Sequence, residues 1–177
     1  MKKSLTHWQI AGFLFVSVVG TLLHFLFDWS GESRLVALIA PVNESIWEHM
    51  KLVLWPMAVF ALVEYRSIGK EIGRFWCAKL KGLLTALLLI PAIYYLYTGA
   101  LGQHWMWFDV AIFFLAVGAG FLVETRILTQ GKPCRIPNKA AAGMIVLLLI
   151  LFAVVTFLPP RIPLFQDPMT GTYGFQG

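Results

Sequence analysis

The chain has 177 residues, of which 59% are hydrophobic and only 13% are charged. About a quarter of the residues in a typical soluble domain are charged, so this composition excludes an ordinary soluble domain. The net charge of +5 does not lead us to expect a nucleic-acid partner. In a chain with long apolar runs, the positions of the basic residues along the sequence are more informative than the net charge, because they indicate how the helices are oriented in the membrane.

Five apolar runs are long enough to cross a bilayer as helices, which takes about 20 residues. They lack the polar–apolar alternation of barrel strands. The first run follows two lysines, as in a signal peptide, but it is longer than such a segment and no small-residue cleavage site follows it. The sequence therefore predicts an all-α polytopic membrane protein, with a single transmembrane domain over residues 1–177. Its helices are predicted at about 8–28, 43–65, 82–97, 104–124 and 140–158, followed by an outer tail at 159–177.

The lysines and arginines predict the orientation of these helices. Eleven of the 14 lie at the N-terminus, between helices 2 and 3, or between helices 4 and 5. These three regions share one side of a five-helix threading, and basic loops stay in the cytoplasm. We expect the N-terminus inside and the C-terminus outside, in a bacterial cytoplasmic membrane, as a monomer or a homo-oligomer.

Two further expectations concern the cytoplasmic side. Cys77 and Cys134 both fall there, so the sequence predicts free thiols and no disulfide. Glu64 and Glu124 lie at the inner ends of their helices, next to Arg66 and Arg126, and are predicted to pair with these neighbours.

Polar residues concentrate in the segment HFLFDWSGESRLVALIAPVNESIWEHMK, residues 24–51. His24 and Asp28 are four residues apart and so share a face of helix 1. Helix 2 enters from the same side of the membrane, so Glu48 and His49 lie about one turn in and Lys51 nearly two turns in. His24, Glu48 and His49 are therefore predicted at matching depth on neighbouring antiparallel helices, facing the extracytoplasmic side.

Histidine nitrogen and carboxylate oxygen are ligands that suit zinc, manganese or iron. We predict that His24, His49, Asp28 and Glu48 bind a divalent metal such as zinc. In this hypothesis Asp28 and Glu48 also act as acid and base, and Lys51 stabilises an anion. The corresponding function is a metal-dependent hydrolase or transferase that acts on a lipid or lipid-linked substrate.

The same residues also fit structural roles. Ser45 and Glu48 have the spacing of a capping box that starts helix 2, and Lys51 fits a pair with Glu48 or a side chain that extends toward the surface. Glu32 and Glu44 are expected to be solvated. The alternative functions are a transporter of ions or small solutes, and a non-catalytic membrane partner of another protein. The outer tail is predicted to be either a lid that brings Asp167 near the polar residues or a loose terminus.

Three segments, HFLFD (24–28), PVNESIWEHMK (41–51) and PLFQDPMTGTYG (163–174), resemble small multi-pass membrane proteins of bacteria, in families without an assigned activity. NESIWEHM (43–50) also looks like the segment before the first helix of the progestin-and-adiponectin-receptor family. That family belongs to a superfamily of intramembrane zinc hydrolases, so the likeness implies zinc chemistry. Those proteins have seven helices and a late H-x-x-x-H pair that this chain lacks, and their ligands are not carried over.

Overall fold

The structure is a computed structural model that describes residues 2–130 and 134–176, with side chains from Leu5 onward. Lys132, one of the basic residues used for the orientation, lies outside the described residues. Within them the chain forms five α-helices, each long and apolar enough to cross a membrane. They are α1 Lys2–Trp29, α2 Ile46–Ser67, α3 Phe75–Leu101, α4 Met106–Thr129 and α5 Asn138–Phe157. The predicted all-α membrane fold with five spanning helices is confirmed.

The antiparallel threading creates two ends of the bundle. The basic end holds the start of α1 and the α2–α3 and α4–α5 connections. The tail end holds the α1–α2 and α3–α4 connections and the residues after α5. The apolar part of the α1–α2 connection forms a 3-10 turn at Val36–Leu38, and Ala37 and Ala40 are completely buried. This connection therefore folds back onto the bundle.

Helix α2 is the centre of the bundle. In its most apolar stretch 67% of the residues are buried, against 22–28% in the other four helices. Ser45 caps its start, because Ser45 Oγ accepts a hydrogen bond from the backbone N–H of Glu48 at 3.3 Å. The predicted N-cap is confirmed, but the Glu48 carboxylate does not return to Ser45 as in a full capping box. It accepts a hydrogen bond from the N–H of Val42 at 3.1 Å instead.

Helix α3 begins at Phe75, about two turns earlier than predicted. The predicted helices left residues 66–81 in the connection between helices 2 and 3, yet Phe75 and Cys77 to Leu80 are all buried. Two glycines bring α3 and α4 together: a Cβ atom on Gly82 would overlap Cγ of Glu124 and would lie 2.8 Å from the Gly120 carbonyl oxygen. Small residues permit such close approach of helices in lipid.

The residues after α5 pack over the tail end. The N–H of Phe175 donates to the carbonyl of Thr156 at 2.9 Å, and the side-chain amide of Asn43 donates to the carbonyl of Gly174 at 3.2 Å. Asp167 is buried, but its Oδ1 accepts from the N–H groups of Met169 and Thr170. Its carboxylate therefore closes a turn within the tail.

The expectation of free thiols is wrong. Cys77 and Cys134 form a disulfide with their Cα atoms 6.3 Å apart. The two residues are 57 positions apart in the chain, but the antiparallel path of α3, α4 and α5 brings both to the basic end. The expectation rested on the compartment predicted for this end, and it took no account of the distance between the two side chains.

We expect Cys77→Ser to lower the free energy of unfolding by about 2–4 kcal/mol, as loss of a disulfide that closes a long loop usually does. Thermal unfolding in detergent, with and without reductant, measures this loss. Cys134→Ser should have the same effect, and the double variant should add nothing because both changes remove one bond. Non-reducing peptide mapping should recover the two cysteine peptides linked, and an unchanged Tm after reduction would contradict the prediction.

Candidate functional site

His24, Glu44 and His49 meet at the tail end and form what we call the histidine cluster. Each offers one ligand atom, and these three atoms lie within 4.8 Å of one another. Nε2 of His49 is 3.4 Å from Oε2 of Glu44, and the two imidazole ring centroids are 5.1 Å apart. Two nitrogens and a carboxylate oxygen at this separation form a donor set suited to a divalent transition metal.

Close packing of α1 on α2 explains why the two histidines are adjacent. Gly20 lies one turn before His24 on the same face of α1, and a Cβ atom there would lie 2.5 Å from the carbonyl oxygen of Leu52. Leu52 is one turn after His49 on α2. Since Gly20 has no side chain, the helix axes approach each other at this level and the two rings come into contact.

The backbone also orients the ring of His49. Its Nδ1 is 3.0 Å from the carbonyl oxygen of Ser45. A carbonyl oxygen only accepts hydrogen bonds, so Nδ1 carries the proton and Nε2 faces Glu44. The position between Nε2 and Oε2 therefore suits either a second proton or a metal ion. Histidines that bind metals commonly donate their other ring N–H to a carbonyl in this way.

Acidic groups surround the histidine cluster. The hydrogen bond from His49 holds the pKa of Glu44 below its ordinary value, so this carboxyl is ionised over a wider pH range. Asp28 is close enough to interact electrostatically with His24, and Asp109 interacts in the same way with His49. The local field therefore favours a bound cation. Nδ1 of His24 is buried and has no hydrogen-bond partner among the described residues.

Glu48 and Lys51 form a separate centre beside the histidine cluster. Lys51 Nζ is 2.7 Å from Oε2 of Glu48, and the exposed fractions of the two side chains are 0% and 2%. Lys51 also donates to the carbonyls of Ala37 and Ala40, at 2.8 and 3.2 Å. The hydroxyl of Thr156 donates to Oε1 of Glu48 at 2.9 Å. This centre joins the α1–α2 connection, α2 and the end of α5.

The structure thus divides the five predicted site residues into three groups. His24 and His49 come together as predicted. Glu48 and Lys51 pair with each other, which is the structural role that the sequence offered as an alternative to a role in metal binding or catalysis. Asp28 is exposed and lies near His24 without completing the donor set. Glu44, which we expected to be solvated, supplies the third ligand atom although its side chain is half exposed.

A third polar centre lies at the basic end, where we expected only local pairs. Glu64 and Glu124 do not pair with Arg66 and Arg126: both place an Oε2 atom 2.5 Å from Nζ of Lys79. Gln9 donates from Nε2 to Oε1 of Glu64 at 2.9 Å. These residues are buried, with 0–4% of each charged side chain exposed, whereas both arginines are exposed.

The sequence carried a signal for this third centre. Phe75, Ala78 and Gly82 recur at helical spacing through the basic segment, which favours an early start of α3 with Lys79 on its buried face. Glu44 had no comparable signal. Glu44 precedes Ser45, the N-cap of α2, and its carboxylate reaches His49 only because of the path that the α1–α2 connection takes in the folded chain.

Comparison with known proteins identifies a family for this chain but does not indicate an activity. A protein-family model described as "Family of unknown function (DUF6512)" matches residues 1–175. No curated protein and no solved structure matches the chain. These results support the resemblance to a family without an assigned function, and none of them shows a link to the progestin-and-adiponectin-receptor family.

Proposed function

The chain belongs to the DUF6512 family, and we propose that it is a membrane-embedded, metal-dependent hydrolase or transferase. The proposed metal ligands are His24, Glu44 and His49. The observation that carries the proposal is the convergence of their three donor atoms within 4.8 Å. Ligation at about 2.0–2.2 Å requires a further approach of these atoms, which rotation of the half-exposed Glu44 side chain allows.

A site with three protein ligands favours a catalytic role for the metal over a purely structural one. Catalytic zinc sites use three protein ligands and leave the fourth position for water or substrate. A metal held by His24, Glu44 and His49 would lower the pKa of a bound water to about 7 and would so supply a nucleophile at neutral pH. Asp28 is exposed and lies one turn from His24, which suits a general base. The buried Lys51 cannot reach a substrate, and we assign Glu48 and Lys51 to holding α2 in place beneath His49.

The position of the histidine cluster supports a lipid or lipid-linked substrate. It lies where α1 ends and α2 begins, at a boundary between apolar helices and a connecting segment. Phe25 and Trp29 are exposed on α1 beside it, and their rings stack with centroids 5.8 Å apart. Exposed aromatic rings at a helix end are typical of the membrane interface, where the polar group of a lipid would meet the metal.

We expect purified protein in detergent, loaded with zinc and then desalted, to retain zinc in a stoichiometric amount. His49→Ala and Glu44→Gln should weaken zinc binding by more than the roughly 10–100-fold that loss of an outer hydrogen-bond partner costs. Each variant removes a donor atom, and the measurement is metal content by mass spectrometry together with competition against a chelator of known affinity.

Matched controls are available at the same end of the bundle. His104→Ala and Glu32→Gln remove a histidine and a carboxylate that lie outside the histidine cluster, and both should retain zinc. Equal zinc affinity in the wild type and in His49→Ala would contradict the metal site. The catalytic part of the proposal is tested with acyl-ester and acyl-amide lipids in mixed micelles. We expect zinc-dependent release of fatty acid that His49→Ala abolishes, and zinc binding without any such turnover would count against the enzyme.

A further inference from the structure

The group of Glu64, Lys79 and Glu124, which we call the buried triad, lies at the opposite end of α2 from the histidine cluster. One carboxylate oxygen of each glutamate is 2.5 Å from Nζ of Lys79. The rings of Phe75 and Phe121 enclose the ammonium group, with centroids 5.3 and 5.6 Å from Nζ. The charged groups are therefore shielded from water by apolar side chains.

The charges of the buried triad do not balance when all three groups are ionised. Two carboxylates face one ammonium, and among the described residues Lys79 is the only cation that pairs with either of them. From the neighbouring helices α1 contributes the neutral Gln9, and α5 contributes Asn138, which binds the N–H of Cys77. The side chains of Arg66, Arg126 and Lys139 are exposed. A net buried charge is strongly unfavourable in a medium of low dielectric constant.

The two carboxylates are not equivalent in their hydrogen bonds. Lys79 donates a hydrogen bond to Oε2 of Glu124 at 2.5 Å. Oε2 of Glu64 lies at the same distance from Nζ, but it receives no hydrogen bond within the described part of the chain. A buried oxygen beside a second carboxylate and without a directed donor is a site for a proton.

We propose that the buried triad is a proton-binding site, in which the two carboxyl groups together hold one proton in addition to those of the Lys79 ammonium. The bound proton makes the group electrically neutral. Uptake forms an O–H bond on one carboxylate oxygen and leaves the Lys79 ammonium unchanged, so no other reactant is needed. The ligand of this site is a proton, and the site is distinct from the proposed metal centre.

A largely apolar groove lies between α1 and α4, next to the buried triad. Its volume is about 350 Å³, and Gln9 and Thr125 are among its lining residues. The Thr125 hydroxyl lies 3.5 Å from Oε1 of Gln9, and Nε2 of Gln9 donates to Glu64 at 2.9 Å. The two polar side chains thus connect the groove to the triad, and the groove opens on the surface of the bundle near the basic end.

Infrared spectroscopy of the full chain in maltoside detergent, which contains no carbonyl group, tests the proposal. A protonated carboxyl group absorbs in a C=O stretching region that carboxylates and amides leave clear. We expect a band there at neutral pH that shifts in D₂O and disappears at alkaline pH. Glu124→Gln and Glu64→Gln should each abolish the band, because Lys79 then neutralises the one remaining carboxylate.

Asp109→Asn is the matched control, since it removes a partly buried carboxyl group outside the triad, and the band should persist in it. At neutral pH each glutamine variant should unfold at a temperature close to that of the wild type, because glutamine replaces a neutral carboxyl group of the same shape. At alkaline pH it should unfold at a higher temperature, because the wild type then loses its proton and buries a net charge. Absence of the band from the wild type overturns the proposal without need of any variant. A band that persists in both single variants overturns it as well.

Discussion

Replacing Lys51 with methionine is expected to destabilise the protein by about 3–5 kcal/mol, the usual cost of removing one partner from a buried ion pair. Nζ of Lys51 is completely buried and lies 2.7 Å from the Glu48 carboxylate. Methionine fills similar space but donates no hydrogen bond, so Glu48 loses its cation and two carbonyls of the α1–α2 connection lose their donor. For a chain of this size the loss corresponds to roughly 6–20 °C in Tm, which thermal unfolding in detergent measures.

Two further variants make this expectation specific. Lys81→Met removes an exposed lysine and should change the free energy of unfolding by no more than about 0.5 kcal/mol. The double variant Glu48→Gln, Lys51→Met should recover part of the loss, because a neutral pair of similar volume leaves no uncompensated charge. If Lys51→Met proved as stable as Lys81→Met, the buried pair could not be what holds the tail end together.

Lys79→Met should be more damaging than Lys51→Met. The ammonium of Lys79 is shared by two carboxyl groups, each 2.5 Å away, so both lose their partner at once and a buried negative charge is left without a cation. We expect a loss above the roughly 3–5 kcal/mol typical of one broken buried pair. The measurement is again thermal unfolding in detergent, supported by the yield of protein that remains monodisperse after extraction.

The rescue experiment separates charge from shape at the buried triad. Adding Glu64→Gln and Glu124→Gln to Lys79→Met leaves no negative charge without a cation and should restore much of the lost stability. Lys81→Met serves as the control on the same helix, because its side chain is exposed two positions further along. A triple variant no more stable than Lys79→Met alone would mean that the lysine acts through packing against Phe75 and Phe121.

The two stability experiments address opposite ends of one helix. Glu48 begins α2 and Glu64 ends it, about 24 Å apart at a rise of 1.5 Å per residue. Between Lys51 and Glu64 the buried positions of α2 are apolar, including Val53, Leu54 and Met57. The proposed metal centre and the proposed proton site are therefore separate in space, and variants at one end should leave ligand binding at the other unchanged in the folded protein.

Part of the candidate site was predictable because helical spacing is a local property. His24 and His49 were placed at matching depth by counting residues from the ends of two antiparallel helices, and in the structure their rings are neighbours. Ser45 was identified as a cap from its position before an apolar run. Each of these inferences needed only the pitch of a helix and the direction in which it crosses the membrane.

The partners of the charged residues were harder to predict. Glu48 and His49 are adjacent in sequence, yet 100° of rotation per residue turns Glu48 toward Thr156 and His49 toward His24. Which neighbour receives each side chain depends on the rotation of α2 about its axis, and that rotation is set by packing. Glu64 and Glu124 were misassigned for the same reason, since the lysine that they share comes from a third helix.

The sequence by itself determined that the chain forms five membrane-spanning helices and that its polar residues gather where helices 1 and 2 meet. Length, hydropathy and the positions of the basic loops suffice for this prediction. In a lipid bilayer only helices and closed barrels satisfy all backbone hydrogen bonds, so few folds are possible. Only the tertiary structure decided that Glu44 joins the two histidines, that Cys77 meets Cys134, and that Lys79 lies between two glutamates. These contacts join residues far apart in the chain, and they depend on close approaches such as those at Gly20 and Gly82, which become visible only once the helices are packed.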